Sequence, residues 1–216
     1  MVEAASIPLV GLTAWQALVE VGKVKPGQKV FIQAGSGGVG SFAIQLAKHL
    51  GAVVATTTST KNVDLVKSLG ADVVIDYKTE DFEKILSDYD LVLNSQDAKT
   101  LEKSLDVLKP GGKLISISGP PDLPFAKRLH LSFFLRMVIR VLSRGVLKQA
   151  QKSGINYEFL FMRAEGQQLA QITTLIESGV IRPVIDKVFP FTEAAEALAY
   201  VETGRARGKV VISIAE

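Results

Sequence analysis

Val30-Phe31-Ile32-Gln33-Ala34-Gly35-Ser36-Gly37-Gly38-Val39-Gly40-Ser41-Phe42-Ala43-Ile44-Gln45-Leu46-Ala47 carries a short apolar run into a cluster of glycines and leaves it with apolar residues at helical spacing. Gly35, Gly37 and Gly40 fit the pattern G-x-G-x-x-G in the context it needs, a strand before and a helix after. Gly35 is expected to permit the tight turn, Gly37 to let a pyrophosphate approach the backbone, and Gly40 to let the helix pack on its strand. The N–H groups of the first helical turn then face the phosphates. A second strand, Val53 to Thr57, follows in order, so the stretch reads as a dinucleotide-binding loop. The alternative is a glycine turn in some other α/β domain.

Outward from this loop the chain alternates. Strand Val30–Gln33 is followed by a helix from Val39 to Leu50, closed by Gly51, and strand Val53–Thr57 by a helix from Asn62 to Leu69, closed by Gly70. Strand Val73–Asp76 leads to a short helix over Glu80–Leu86, and strand Leu91–Leu93 to a helix over Lys99–Leu108. Lys109-Pro110-Gly111-Gly112 then turns the chain into strand Lys113–Ile117. Nearly continuous apolar strands separated by helices predict an α/β fold, a doubly wound parallel sheet covered on both faces. Beyond it come strand Tyr157–Met162, a helix over Gln167–Ser178, strand Val184–Phe189, a helix that Thr192 is expected to cap, and strand Lys209–Ile214. The division expected is a lead-in segment over 1–24, a nucleotide-binding domain over 25–179, and a C-terminal segment over 180–216.

Residues 124–153 read differently. A long helix-like stretch carries Lys127, Arg128, Arg136, Arg140, Arg144, Lys148 and Lys152, the last five at steps of four, with Phe133, Phe134, Leu135, Val138, Ile139, Val141 and Leu142 supplying an apolar side. A basic amphipathic helix can lie on anionic lipid or dock on a partner. The plainer reading is the solvated face of a packed helix.

Composition narrows the chemistry. With no cysteine, disulfides, thiolate catalysis and cysteine-bound zinc are excluded from these residues, and His49 and His130 are too few for a multi-histidine metal site. A net charge of +3 is too small to argue for nucleic acid. No signal peptide opens the chain and no uncharged apolar run reaches about 18 residues, so the default expectation is a cytoplasmic, reducing compartment.

Cofactor choice is read at the end of the second strand. An acid about 20 residues past the glycine loop would bind the ribose 2′-hydroxyl of NAD. Here Thr56-Thr57-Thr58-Ser59-Thr60-Lys61-Asn62 has none before Asp64. Hydroxyls beside a lysine suit a 2′-phosphate, which favours NADP(H); otherwise the stretch is an ordinary polar loop.

Five stretches carry a resemblance: Ala-Ser-Ile-Pro-Leu-Val-Gly-Leu-Thr-Ala-Trp-Gln-Ala-Leu (5–18), Ala-Gly-Ser-Gly-Gly-Val-Gly (34–40), Leu-Gly-Ala-Asp-Val-Val-Ile-Asp-Tyr (69–77), Leu-Lys-Pro-Gly-Gly-Lys-Leu-Ile (108–115) and Arg-Gly-Lys-Val-Val-Ile (207–212). In this order they resemble the medium-chain dehydrogenase/reductase superfamily, in its zinc-independent quinone oxidoreductase branch, which reduces quinones or activated enones with NADPH. The resemblance implies that Thr13 sits near the nicotinamide, that Gly37, Gly38 and Val39 hold the pyrophosphate, and that Ser59, Lys61 and Tyr77 surround the 2′-phosphate. It implies that Ser118, Gly119 and the segment Phe159, Leu160, Phe161 line the nicotinamide pocket, with Lys209 a further cofactor contact. For Tyr77, Phe159 and Phe161 the competing reading is structural, a rim aromatic and two alternating core aromatics. No general acid stands out.

Two departures accompany the resemblance. The family's glycine-containing loop after the fourth strand is replaced by Asn94-Ser95-Gln96-Asp97-Ala98, and the N-terminal GroES-like domain that forms the other wall of the cleft has no counterpart here. The expectation is therefore the cofactor-binding part of an NADPH-dependent quinone or enone reductase with little turnover of its own. A stand-alone NADP(H)-binding or sensing module and a membrane- or partner-binding protein are the alternatives. A homodimer through the edge strand 157–162 is expected, with apolar surface around Ile7–Trp15 and Val184–Phe191 as a second contact.

Overall fold

The computed structural model describes residues 1–214. Two helices open the chain, α1 (Val2–Ser6) and α2 (Pro8–Trp15), the second started by a proline where its missing N–H is harmless. A π-helical turn over Gln16–Val21 follows. The alternating body then runs β1 (Lys29–Ile32), α3 (Gly38–His49), β2 (Val53–Thr58), a 3-10 turn (Thr60–Asn62), α4 (Val63–Ser68), β3 (Val73–Asp76), α5 (Phe82–Ile85), β4 (Tyr89–Asn94), α6 (Ala98–Asp106) and β5 (Leu108–Ser116). It continues through α7 (Leu123–Arg128), α8 (Phe133–Lys152), β6 (Asn156–Phe159) and α9 (Gly166–Glu177). The chain ends with β7 (Ile185–Pro190), a 3-10 turn (Phe191–Glu193), α10 (Ala194–Glu202) and β8 (Lys209–Ser213).

Six strands form one sheet in the order β3-β2-β1-β4-β5-β6, all pairs parallel. The chain winds outward from β1 to β3 and crosses back to β4, so the helices after β1 and β4 leave on opposite sides and a crevice opens at the carboxyl ends of those strands. This is the α/β doubly wound sheet that the sequence predicts. Successive residues of β1 serve both faces. Val30 and Ile32 pack with Leu18, Phe42, Leu46 and Ile172 from the π-helical turn, α3 and α9, whereas Phe31 packs with Phe82, Leu101, Leu105 and Val146 from α5, α6 and α8.

A buried polar tie crosses the sheet at the reversal point. Asn94 Nδ2 donates to Gln33 Oε1 at 2.6 Å, and Ser116 Oγ donates to Asn94 Oδ1 at 2.6 Å; all three residues are essentially inaccessible. The hydrogen bonds fix the ends of β1, β4 and β5 to one another. They explain why the loop that departs from the family pattern begins with Asn94, and Asp97 goes on to cap α6 by accepting from Thr100 N.

The structure corrects several expectations. The strand expected over Tyr157–Met162 runs instead over Asn156–Phe159, because beyond Leu160 the buried Gln16 side chain takes both the N–H and the carbonyl of Arg163. The stretch 124–153 is two helices, broken where His130 adopts φ 49° and Ser132 caps α8. Thr192 caps nothing: it lies inside a 3-10 turn, and α10 begins at Ala194. The apolar surface expected over Ile7–Trp15 is largely internal, with Val10, Leu12 and Ala14 buried and Pro8 and Leu9 exposed, whereas Val188 and Phe191 are exposed. The apolar side expected to pack α8 faces outward: Phe133, Phe134, Leu135, Val138, Val141 and Leu142 are exposed, and the helix is seated by Ile139, Ser143, Val146 and Ala150.

Replacing Asn94 by Ala strips buried partners from Gln33 and Ser116 together. A loss of about 2–4 kcal/mol is expected in urea unfolding followed by circular dichroism. A loss below about 0.5 kcal/mol, the range of surface substitutions, would show that the tie is not structural.

Candidate dinucleotide site

The site is built on the turn between β1 and α3. Ala34, not Gly35, takes the left-handed backbone here, with φ 51°. Its N–H donates to Thr57 Oγ1, and that of Gly35 donates to the Thr57 carbonyl at 2.9 Å. The glycines answer to close approach. A Cβ on Gly35 would lie 2.2 Å from Thr56 Oγ1, and one on Gly40 would lie 2.3 Å from the Ala34 carbonyl oxygen. Gly37 caps α3 without a side chain, so the N–H groups of Gly38, Val39 and Gly40 open a helix whose first turn lacks internal acceptors. They form a ready anion site at the crevice.

The C-terminal segment is fastened onto this turn. Gly208 N donates to the Ser36 carbonyl at 2.8 Å, and Lys209 N donates to the Val184 carbonyl at 2.8 Å. Gly208 is in the left-handed region at φ 83°, and a Cβ there would lie 2.2 Å from Val184 O, so only glycine fits. The Lys209 stem lies against Gly38.

A cleft of about 1100 Å³ opens beside the turn. Ser36 and Gly37 line it, together with Thr57, Thr58, Ser59, Lys61 and Asn62 after β2, Tyr77 and Lys78 after β3, and Gly204, Arg205 and Arg207 before β8. Thr58 Oγ1 and Asn62 Nδ2 both donate to Ser36 Oγ, at 3.0 and 3.1 Å, which leaves the Ser36 hydroxyl hydrogen for a ligand. Asn62 Oδ1 is buried without a partner, an acceptor standing ready at the same place. Acidic side chains also reach the cleft, but they are engaged. Glu80 accepts from the Asp76 N–H at 3.2 Å, Asp81 pairs with Lys84 at 2.8 Å, and Glu83 pairs with Lys103. Asp186 accepts from Tyr200 at 2.6 Å, which, with burial, raises the phenol.

Of the predicted residues, Gly37, Ser59, Lys61 and Tyr77 are brought together around this cleft. Ser118 and Gly119 lie past the end of β5, where Ser118 Oγ donates to the Gln96 carbonyl at 2.6 Å and Gly119 N donates to Ser116 Oγ at 2.7 Å. Tyr157 closes that loop by donating to the Pro120 carbonyl at 2.6 Å, and burial pushes its phenol up. Phe159 and Phe161 flank the Phe125 ring, at centroid distances of 5.0 and 5.9 Å, while Leu160 points into the core on the opposite face. Thr13 is buried within α2 and donates to the Leu9 carbonyl at 2.7 Å, outside the cleft lining. Sequence reasoning missed Ser36, Asn62, Lys78, Arg205 and Arg207. The signal for the last two was present, a basic turn bracketed by Gly204 and Gly208, but its distance in sequence from the glycine loop hid their meeting. Among the described residues no three His, Cys, Asp or Glu side chains converge as a metal site requires.

Comparisons with known proteins agree with this architecture. The sequence model of the family described as "Zinc-binding dehydrogenase" matches residues 69–212. The mitochondrial NAD(P)H oxidoreductase RTN4IP1 of Danio rerio is 40% identical over 223 residues, covering 99% of this chain and 57% of the relative. The 2-methylene-furan-3-one reductase of Solanum lycopersicum is 35% identical, covering 97% of this chain and 46% of the relative. Among solved structures, the quinone oxidoreductase from Coxiella burnetii superposes with a TM-score of 0.83 at 32% identity, covering 98% of this chain and 60% of that one. The chain thus spans about half the length of the proteins it matches. With the parallel sheet order, the glycine turn and the family match in agreement, the chain belongs to the zinc-binding dehydrogenase family of the medium-chain dehydrogenase/reductase superfamily.

Proposed function

We propose that this chain is the NADP(H)-binding portion of an oxidoreductase that passes hydride from NADPH to a quinone or an α,β-unsaturated carbonyl. One observation carries the cofactor reading. The backbone leaving β2 presents Ser59 and Lys61 where a carboxylate would select NAD, and Tyr77, Lys78, Arg205 and Arg207 join them around one cleft. A 2′-phosphate needs donors and positive charge, whereas a free 2′-hydroxyl calls for an acceptor. The acceptor class is supported by the relatives, which are named as a quinone oxidoreductase, an NAD(P)H oxidoreductase and a reductase of an unsaturated furanone.

When bound, NADPH would supply the hydride at its nicotinamide C4, and the proton that completes the reduction would be taken from solvent after the transfer. The residues of this chain bind and orient. The first-turn N–H groups of Gly38 and Val39 would hold the pyrophosphate, and Ser36 and the unpartnered Asn62 Oδ1 would meet adenosine ribose hydroxyls. Ser118, Gly119 and Phe159 to Phe161, at the ends of β5 and β6, are the proposed nicotinamide wall. Thr13 has committed its hydrogen to Leu9, so toward a carboxamide it acts as an acceptor. Hydride transfer also needs the acceptor clamped and water excluded, and the second wall for that is proposed to come from outside these residues. The outer edge of β6, which among the described residues pairs only with β5, is the proposed pairing edge with a second copy.

In isothermal titration the chain is expected to bind NADPH at least roughly tenfold more tightly than NADH. Lys61→Ala should weaken NADPH by about tenfold, some 1.4 kcal/mol, and leave NADH unchanged. Equal affinities for the two nucleotides would overturn the assignment. With quinone or enone acceptors the isolated chain is expected to oxidise NADPH no faster than the no-enzyme background, and robust turnover would contradict the need for a second wall. Light scattering is expected to give twice the chain mass; a monomer would remove the edge pairing.

A further inference from the structure

The first half of α8 presents a surface that neither the fold nor the cofactor cleft explains. The helix is seated by the narrow strip Ile139, Ser143, Val146 and Ala150. At 3.6 residues per turn the opposite strip is Phe134, Met137 and Val141, continued by Lys148 and Lys152. Phe133 is 80% exposed, Phe134 74%, Val141 71% and Met137 49%. Arg140 and Arg144 border these side chains. From residue 123 to residue 157 the sequence has seven lysines and arginines and no aspartate or glutamate. No cation of α8 forms an ion pair among the described residues; the pair in this region is made from α7, by Arg128 with Glu158.

We infer that α8 docks the chain on an anionic lipid bilayer. Aromatic and aliphatic side chains at the outward tip of a helix whose charged residues are all cationic match the boundary between acyl chains and acidic headgroups. Charge complementarity decides between occupants. A second copy of this chain would bring the same five cations of α8 against each other with no carboxylate on the helix between them, whereas an acidic lipid surface neutralises them. Among the described residues no helix is long and apolar enough to cross a membrane, so the contact proposed lies along the surface. Its placement is consistent with the direction of the sheet. α8 returns the chain from the carboxyl end of β5 to the start of β6, so its apolar half lies at the sheet end where the crevice opens. Docking therefore turns the crevice end toward the bilayer. The inference stands on the helix face alone and does not depend on which nucleotide fills the cleft.

Co-sedimentation of the full chain with vesicles tests it. At low salt the protein is expected to pellet with phosphatidylcholine vesicles containing phosphatidylglycerol and to stay in the supernatant with phosphatidylcholine alone. Arg140→Gln with Arg144→Gln should lower the partition coefficient about 25-fold, near fivefold per cation. Phe133→Ser with Phe134→Ser should lower it by roughly tenfold or more. Both pairs lie on the surface, so circular dichroism and melting temperature should match the parent; these readings confirm that a lost interaction is not lost folding. Equal partition into both vesicle types, or a phenylalanine double variant that binds as tightly as the parent, would overturn the inference. So would a phenylalanine double variant that turns a dimer into a monomer, since α8 would then be a protein interface.

Discussion

The rest of the molecule depends on the approach of backbone to backbone where β1 turns into α3. The Ala34 carbonyl occupies the space a side chain on Gly40 would need, and Thr56 of β2 occupies the space beside Gly35. That approach holds β2 against β1 and sets the first turn of α3 at the crevice with its N–H groups open. It also leaves the Ser36 carbonyl where Gly208 can reach it, which seats the strand pair β7–β8 on the turn. Under the proposed function the glycines would serve the ligand and the fold through the same geometry, since the chain can come this close only where it carries no side chains.

A second constraint sits beneath the crevice. Gln33, Asn94 and Ser116 join three strand ends through side chains that no solvent reaches. Buried polar groups of this kind favour one arrangement, because any slip leaves several of them unpaired. The crevice floor is thereby held by a network, and the Ser118–Gly119 loop hangs from the same Ser116 hydroxyl.

Local signals in the sequence were enough for the order of strands and helices, for the α/β class and for the glycine turn. Apolar runs, glycines at helix ends and a proline-glycine turn act within a few residues of where they stand. What escaped was set by distance or by direction. Arg205 and Arg207 lie some 170 residues from Ser36, and only the docking of β8 makes them neighbours. The end of β6 depends on Gln16, which is distant in sequence and binds the Arg163 backbone. For α8 the pattern disclosed two faces but not which one was buried; the helix sits on its small residues Ser143 and Ala150 and turns its phenylalanines out. Five of the residues that the family resemblance assigned to the nicotinamide side, Ser118, Gly119 and Phe159 to Phe161, cluster at the ends of β5 and β6, whereas Thr13 is packed within α2.

The central claim is that one turn and one basic cleft together select a 2′-phosphorylated dinucleotide. A crystal structure of the chain soaked with NADP⁺ tests it most directly. The account predicts the pyrophosphate against the N–H groups of Gly38 and Val39, with the 2′-phosphate within hydrogen-bonding reach of Ser59 and Lys61 and close to Arg205 or Arg207. A nucleotide bound with its 2′-phosphate turned away into solvent, or bound elsewhere on the chain, would contradict it.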